Sequence, residues 1–211
     1  MGRPRQTREQ TASTRAAIVD ASAEVFARVG YRGATMAAIS REARCSTPTL
    51  YAYFRSKERL VEALLDRTHA AFMASFETGS PPQADFAARV TTLLARLQDL
   101  TLRHRAIMQV FVALQTGRDS LPARAARKWD TGFGEFMARM AAWLEDARGA
   151  KGARVSPHAA EDLAWFLWGT GHAFHLRALR GDSSLAALAE LGPKVAELFL
   201  HGAVGSRSGR R

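Results

Sequence analysis

The feature that most constrains the fold of this sequence is the stretch at residues 35–57, TMAAISREARCSTPTLYAYFRSK. Thr35 is suited to capping the N-terminus of a helix, because its hydroxyl can accept a hydrogen bond from a backbone N–H of the first turn. Apolar residues then recur at the spacing of one helical face, namely Met36, Ile39 and Ala43. This pattern predicts a short helix that ends in a tight turn at Arg44 and Cys45.

A second short helix is predicted directly after that turn. Ser46 or Thr47 can cap it, and Pro48 then falls in the first turn, where a missing N–H does no harm. Leu50 and Phe54 lie one turn apart and are expected to face inward. The opposite side carries few charges and is unusual for a helix without a partner; it holds Thr47, Pro48, Tyr51, Ala52 and Arg55.

This segment resembles the helix-turn-helix of the TetR family of bacterial transcriptional regulators, whose pattern runs roughly T-x-x-x-I-A-x-x-A-G-V-S-x-x-T-L-Y-x-Y-F-x-x-K. The matching residues are Thr35, Ile39, Ala43, Ser46, Thr49-Leu50-Tyr51, Tyr53-Phe54 and Lys57. Arg44 replaces the usual turn glycine, so we expect it either to adopt a positive φ or to shift the turn slightly, at a cost of about 1 kcal/mol. The resemblance covers about the first 60 residues.

The resemblance implies an all-α fold with an N-terminal three-helix DNA-binding head and a C-terminal helical body. We expect a disordered basic arm at residues 1–9, the helix-turn-helix domain at 10–57, an effector-binding and dimerisation domain at 58–202, and a disordered basic tail at 203–211. Apolar spacing predicts that the first helix runs from Thr11 to Val29, with Gly30 ending it.

The distribution of charge agrees with a head that binds a polyanion. The net charge of the chain is +10, and residues 1–60 hold 11 Lys and Arg against 5 Asp and Glu. Three more arginines lie from residue 207 onward, so the 146 residues between are nearly neutral. A basic module joined to a neutral body is typical of nucleic-acid-binding proteins.

By the same resemblance, the partner of the head is a double-stranded DNA operator. Thr47 and Pro48 are expected at base edges, and Tyr51 at either a base or a phosphate, while other hydroxyl and basic side chains bind the DNA backbone. For Tyr53 the alternative is packing between helices of the head. The full set of expected DNA-binding residues is Arg3, Arg5, Thr35, Thr47, Pro48, Thr49, Tyr51, Tyr53 and Lys57.

The body is rich in aromatic residues, which leaves two interpretations open. Family effector pockets lie among the body helices, so these side chains are candidates for binding a small apolar or aromatic effector. At helical spacing, however, a hydrophobic core is the usual interpretation. The candidates are Met108, Phe111, Trp129, Phe133, Phe136, Trp165, Trp168 and His172. His172 and His175 alone are a weak metal signal, and we expect neither a metal nor a cofactor.

Residues 163–176 are apolar nearly all round a helix, so more than one side must be covered. Gly192-Pro193 is expected to kink or break the last helix. Family members form homodimers through their last two helices, which implies a dimer interface here. The residues expected in it are Leu163, Phe174, Leu188, Val195, Leu198 and Phe199.

Other features bear on location and on rival functions. Cys45 is the single cysteine, and no long apolar run or signal peptide is evident, which favours the cytoplasm. The motifs H-E-x-x-H, G-x-S-x-G, G-x-G-x-x-G and the Walker loop do not occur, so we do not expect an enzyme. The rival hypotheses are a non-specific nucleoid or membrane-surface protein, and an aromatic-pocket enzyme or carrier with a vestigial head.

Overall fold

The computed structural model of the chain describes residues 7–77, 84–103, 110, 121–149, 158–177 and 191–201. In these ranges the regular structure is entirely α-helical, so the all-α prediction is confirmed. The described residues form eight helices: α1 (Arg8–Gly33), α2 (Met36–Glu42), α3 (Thr47–Tyr53), α4 (Lys57–Glu77), α5 (Phe86–Arg103), α6 (Ala123–Arg148), α7 (Ala160–Arg177) and α8 (Leu191–His201).

Helix α1 begins at Arg8 rather than at Thr11, because Thr7 and Gln10 form a capping box. The backbone N–H of Gln10 donates to the Thr7 hydroxyl at 3.2 Å, and the Thr7 N–H donates to the Gln10 side-chain oxygen at 3.0 Å. Both bonds satisfy donors that a helix start leaves free. Residues 8 and 9 of the predicted disordered arm are therefore helical, whereas Arg3 and Arg5 lie outside the described residues.

The predicted end of α1 at Gly30 corresponds to a real interruption. Gly30 has φ 73° and ψ 168°, a region that is essentially restricted to glycine. A final turn of helix follows as far as Gly33, and the N–H of Ala34 donates to the Gly30 carbonyl at 3.2 Å. Gly30 thus ends the straight part of α1 and redirects the chain toward α2.

The chain divides into two compact units. One consists of Met1–Thr68 with Arg105–Asp130, and the other of His69–His104 with Thr131–Arg211. Helices α4 and α6 therefore each contribute residues to both units. The N-terminal unit extends beyond the predicted boundary at Lys57, because the first turns of α4 are buried in it.

The N-terminal unit has an apolar core built on α1–α4, in which α1 packs against α2 and α2 against α3. Its fully buried side chains include Ile18, Val25, Phe26, Ile39, Leu50, Leu60, Val61 and Leu64. Ion pairs flank this core. Arg67 Nη2 lies 2.7 Å from Asp20 Oδ1, and Lys128 Nζ lies 2.6 Å from Asp66 Oδ1. The buried Glu62 carboxylate meets Arg59 at 2.8 Å and Arg124 at 3.0 Å.

The second unit has its own core, in which α8 packs against α5 and α7. The core includes Val90, Leu93, Phe136, Met140, Leu144, Leu167 and Val195. Gly192 and Pro193 lie in the first turn of α8, where proline is tolerated, and the predicted Leu188 lies outside the described residues. None of the described helices is long and apolar enough to cross a membrane.

Candidate nucleic-acid interface

Two buried side chains hold α3 against the core of the N-terminal unit. Leu50 is completely buried and Phe54 nearly so, as their one-turn spacing predicted. Ile39 of α2 is buried as well. The inward face of the helix-turn-helix is therefore fixed by apolar packing, which leaves the opposite face of α3 free to carry recognition chemistry.

The turn between α2 and α3 has the geometry that the missing glycine predicted. Arg44 has φ 51°, a left-handed value, and is the single non-glycine residue with positive φ among the described residues. The N–H of Cys45 donates to the Ser40 carbonyl at 3.0 Å, and the Arg44 N–H donates to the Arg41 carbonyl at 3.1 Å. These two bonds form a Schellman motif. The free Cys45 thiol is half-buried, and burial raises its pKa, so it is a packing residue in this turn.

The outward face of α3 presents Pro48, Tyr51 and Ala52 to solvent, and 47% of Tyr51 is exposed. Thr47 is half-buried, and its hydroxyl lies 3.1 Å from the Ser40 hydroxyl, which ties the start of α3 to α2. An aromatic ring and a proline ring are thus held outside the core on a helix that is anchored from behind. Such a face can enter a DNA groove without rearrangement of the core.

Two threonines expected to bind phosphates also act as helix caps or cap partners. The Thr35 hydroxyl accepts from the Ala38 N–H at 3.1 Å and caps α2. The Thr49 hydroxyl lies 2.7 Å from the hydroxyl of Ser46, which caps α3 by accepting from the Thr49 N–H at 3.2 Å. Because the Thr35 hydroxyl only accepts in this contact, its hydrogen can still be donated to a phosphate oxygen.

Lys57 has a different environment from the one the sequence predicted. Its ammonium donates to the carbonyls of Tyr31 at 2.6 Å, Ala34 at 2.8 Å and Arg32 at 3.3 Å. Its nitrogen also lies 4.5 Å from the centre of the Tyr31 ring. In this geometry the ammonium binds the segment between α1 and α2, so the structure gives no support to the expected phosphate contact.

Three exposed arginines close to the recognition helix were not among the predicted site residues, apart from the mention of Arg55 on its outer face. Arg41 lies in the last turn of α2, Arg44 in the turn, and Arg55 after α3. From the sequence, Arg44 was considered only as a turn residue. Its charge indicates a second role, because an arginine at the position of the usual turn glycine is suited to binding phosphate.

An open groove of about 370 Å³ lies beside the end of α3. Tyr53 and Phe54 line it, together with Arg15 of α1, whose Cζ lies 4.9 Å from the centre of the Phe54 ring. Its other lining residues are Arg55, Arg59, Glu62, Ala63 and Asp66. Tyr53 is half-buried here, which is compatible with both the phosphate contact and the packing role considered above.

In the second unit, five of the predicted effector-binding residues form one aromatic cluster. The Phe133 ring lies 5.3 Å from Trp168 and 5.8 Å from Trp165, and Phe136 lies 5.6 Å from Trp168. His172 stacks on Trp168 at 5.5 Å, and burial lowers the pKa of His172 from its ordinary value of 6.5. Phe136 is buried in the core, whereas 56% of Trp165 is exposed.

The other predicted effector residues are not in this cluster. Trp129 belongs to the N-terminal unit, and Met108 and Phe111 lie outside the described residues.

The predicted dimer residues divide by burial. Val195 is 2% exposed and belongs to the core of its own unit, so its burial does not favour a contact with a second copy, and its place in a dimer interface stays a prediction. Leu163 and Phe199 pack against the same core but keep some exposure, as does Leu198, while the Phe174 side chain lies outside the description.

The exposed apolar rings of α7 are Trp165 and Phe166, and Phe166 lies 6.1 Å from Phe199 of α8. Phe166 was not among the predicted dimer residues, because a helix that is apolar all round does not indicate which side faces outward.

The fold and this site define a class: a helix-turn-helix protein with an exposed recognition helix and a separate helical body. Residues 18–64 match the family model described as bacterial regulatory proteins, tetR family. This match confirms the resemblance of the N-terminal motif to the TetR family of transcriptional regulators. The curated relatives that the chain matches are described as transcriptional regulators.

Similar proteins were found by sequence and by fold. The HTH-type transcriptional regulator TtgR of Pseudomonas putida is 37% identical over 65 residues, which cover 31% of each chain. The fatty acid degradation regulator FadR of Bacillus halodurans has a similar fold, with a TM-score of 0.76 at 18% identity over 95% of this chain and 99% of that one. FadR of Bacillus subtilis, solved with stearoyl-CoA, gives 0.71 at 18% identity over 89% and 98%.

The sequence matches to curated relatives are partial. Three curated relatives are matched by this chain over 45%, 31% and 56% of their own length. The sequence similarity therefore bears mainly on the DNA-binding unit, and the similarity to solved structures establishes the fold of the whole.

Proposed function

We propose that this protein is a dimeric transcriptional repressor that binds a palindromic operator and is released from it by a small-molecule effector. The observation that carries the proposal is the outward face of α3. Pro48 and Tyr51 are exposed on a helix whose Leu50 and Phe54 are buried. A recognition helix needs a buried face that holds it rigidly and a solvent-exposed face that can contact bases in the major groove.

Each residue type on that face suits a particular contact. The Pro48 ring and the Thr47 methyl are apolar groups that can touch a thymine methyl, and Tyr51 reaches a base edge or a phosphate. Thr35, Thr49 and Tyr53 offer hydroxyl donors to the backbone. The exposed arginines Arg41, Arg44 and Arg55 add charge, and Arg3 and Arg5 remain candidates for a minor-groove contact.

A second copy of the chain is the proposed partner for α7 and α8. Trp165 and Phe166 are both more than half exposed, which is costly for large rings on a monomer. The exposed Phe166 ring of α7 lies beside the half-buried Phe199 ring of α8. Covering them in a two-fold interface would place two recognition helices on one duplex, so that the operator repeats its half-site.

For the effector we propose an apolar or aromatic small molecule bound beside the aromatic cluster of the second unit. Phe133, Trp168 and His172 are half-buried there, so that they combine apolar surface with a polar group. Stearoyl-CoA, the ligand in the Bacillus subtilis neighbour, is one compound to include in a screen.

The test is fluorescence anisotropy of the purified protein on DNA from upstream of its own gene and on scrambled DNA, at two salt concentrations. We expect tighter binding to the upstream DNA and its loss in Tyr51→Ala. The control is Val29→Ala, which truncates another exposed apolar side chain of the same unit, on α1. Equal affinity for both DNAs, with a steep salt dependence, would support the rival of a non-specific polyanion-binding protein; a genome-wide selection that also yields no preferred sequence would refute the repressor.

A further inference from the structure

We infer that Lys57 is a positioning residue that clamps the two ends of the helix-turn-helix together, rather than a phosphate-binding residue. The inference rests on the proposed function, since it concerns how the recognition helix is held for DNA. Lys57 is the first residue of α4, and its ammonium hydrogen-bonds the carbonyls of Tyr31, Arg32 and Ala34, which come directly before α2.

The stoichiometry of these contacts argues against a phosphate. An ammonium group has three N–H donors and accepts nothing. Each of the three carbonyls lies within 3.3 Å of the nitrogen. A phosphate oxygen could bind only if one of these bonds were broken, so that a hydrogen bond to a charged group would be lost.

The position of these carbonyls explains why a cation is favoured there. Tyr31 and Arg32 lie in the last turn of α1, where the backbone carbonyls carry the partial negative charge of the helix C-terminus. The Tyr31 ring adds a cation–π contact at 4.5 Å, and that ring in turn packs on Phe26 at 5.7 Å. The clamp is therefore connected to the core of the unit.

The clamp affects DNA recognition because its two ends lie on either side of the recognition helix. The chain between Tyr31 and Lys57 contains the whole of α2 and α3. Lys57 joins the two ends of this segment by non-covalent contacts. The start of α2 and the end of α3 are therefore held close to each other. If the clamp opens, a smaller fraction of molecules presents α3 correctly, and the apparent affinity for DNA falls by that fraction.

The experiment compares Lys57→Met and Lys57→Arg with Arg55→Gln, which removes a proposed DNA-binding charge two residues away and so shows the effect of losing charge without opening the clamp. Operator affinity is measured over a series of salt concentrations, together with amide hydrogen exchange of the free protein at Ala34 and Ala38. These two amides bond the Gly30 carbonyl and the Thr35 hydroxyl on either side of the segment that the ammonium binds.

A clamp predicts that Lys57→Met lowers operator affinity by about tenfold, because hydrogen bonds to a charged group are lost. The slope of log affinity against log salt should stay at the wild-type value, and exchange at Ala34 and Ala38 should accelerate. Lys57→Arg should not restore either property, because a planar guanidinium cannot direct its donors to three converging carbonyls.

A phosphate-binding lysine predicts the opposite set of results. The salt slope of Lys57→Met would fall by about 0.9, exchange in the free protein would be unchanged, and Lys57→Arg would bind as the wild type does. Unchanged exchange in Lys57→Met overturns the clamp by itself. Because that measurement needs no DNA, it decides the inference even if the wild-type protein prefers no DNA sequence, which would refute the proposed function instead.

Discussion

At the scale of single residues, Arg44 lowers the stability of the folded protein through its strained backbone conformation. Its φ of 51° brings its Cβ close to the backbone, a cost that glycine does not have. The residue is exposed, so the cost is not offset by packing. A charged side chain kept in a strained turn next to the recognition helix is consistent with use of that charge in binding DNA.

We expect Arg44→Gly to raise the free energy of unfolding by about 0.5–1 kcal/mol, because the backbone strain is relieved. The gain is measured by urea denaturation. Arg44→Ala is the control, since it removes the same charge and keeps the Cβ; it should gain nothing. Equal stabilities of the glycine and alanine variants would contradict the strain argument.

His172 gives a prediction about pH. Burial lowers the pKa of His172 below 6.5, so below that pH the unfolded chain binds a proton more readily than the native one. Stability is therefore fully retained above pH about 6.5 and is lost as the pH falls through the lowered native pKa. His172→Phe keeps a ring to stack on Trp168 but does not titrate.

The drop in Tm between pH about 7.5 and about 5 should thus be smaller in His172→Phe than in the wild type. Both proteins share every other titrating group, so the comparison isolates the histidine. An identical drop in both would mean that His172 is as easily protonated in the native protein as in the unfolded chain.

At the scale of helices, α1 depends on the glycine that interrupts it. Gly30→Ala should lower the free energy of unfolding by about 1–3 kcal/mol, because alanine cannot adopt φ 73° with ψ 168° without strain. Gly134→Ala is the matched control. Gly134 lies inside α6 with no atom within 4 Å of an added Cβ, so alanine there should raise stability by about 0.5–1 kcal/mol. Thermal unfolding of both variants checks the opposite signs.

The helices of the N-terminal unit were predictable because their signals are local. Thr35, Ser46 and Gly30 each act within a few residues of their own position. Thr35 and Ser46 cap helices as predicted, and Gly30 interrupts α1 where its end was predicted. The start of α1 was missed although the capping box at Thr7 and Gln10 is equally local. The positive charge of the arm had suggested disorder and outweighed it.

The candidate site was less predictable, because its decisive contacts are distant in sequence. The three carbonyls that Lys57 binds are 23 to 26 residues away, and backbone carbonyls leave no signature in side-chain identity. Val195 shows the complementary limit. Helical spacing indicates that one face of α8 is covered, but the spacing is the same whether the cover is the molecule's own core or a second copy.

At the scale of the whole molecule, assembly should depend on the exposed rings of α7. Phe166→Arg is expected to shift the protein from dimer to monomer, because a charge would be buried in the proposed interface. Ala142→Arg adds the same charge at an exposed position of α6 and should remain dimeric. Sedimentation of both variants at micromolar concentration is the measurement, and a dimeric Phe166→Arg would place the interface elsewhere.

The contacts of Lys57 also determine where this chain can be cut and rejoined with a homologue. The sequence motif runs from Thr35 to Lys57, so a chimera designed from the pattern alone would exchange residues 35–57. Such a swap would take the recognition helix and the lysine from one parent and the carbonyl acceptors of the lysine from the other. The smallest DNA-binding segment that can be exchanged is instead the one from Tyr31 to Lys57. This segment contains both the lysine and the carbonyls that it binds.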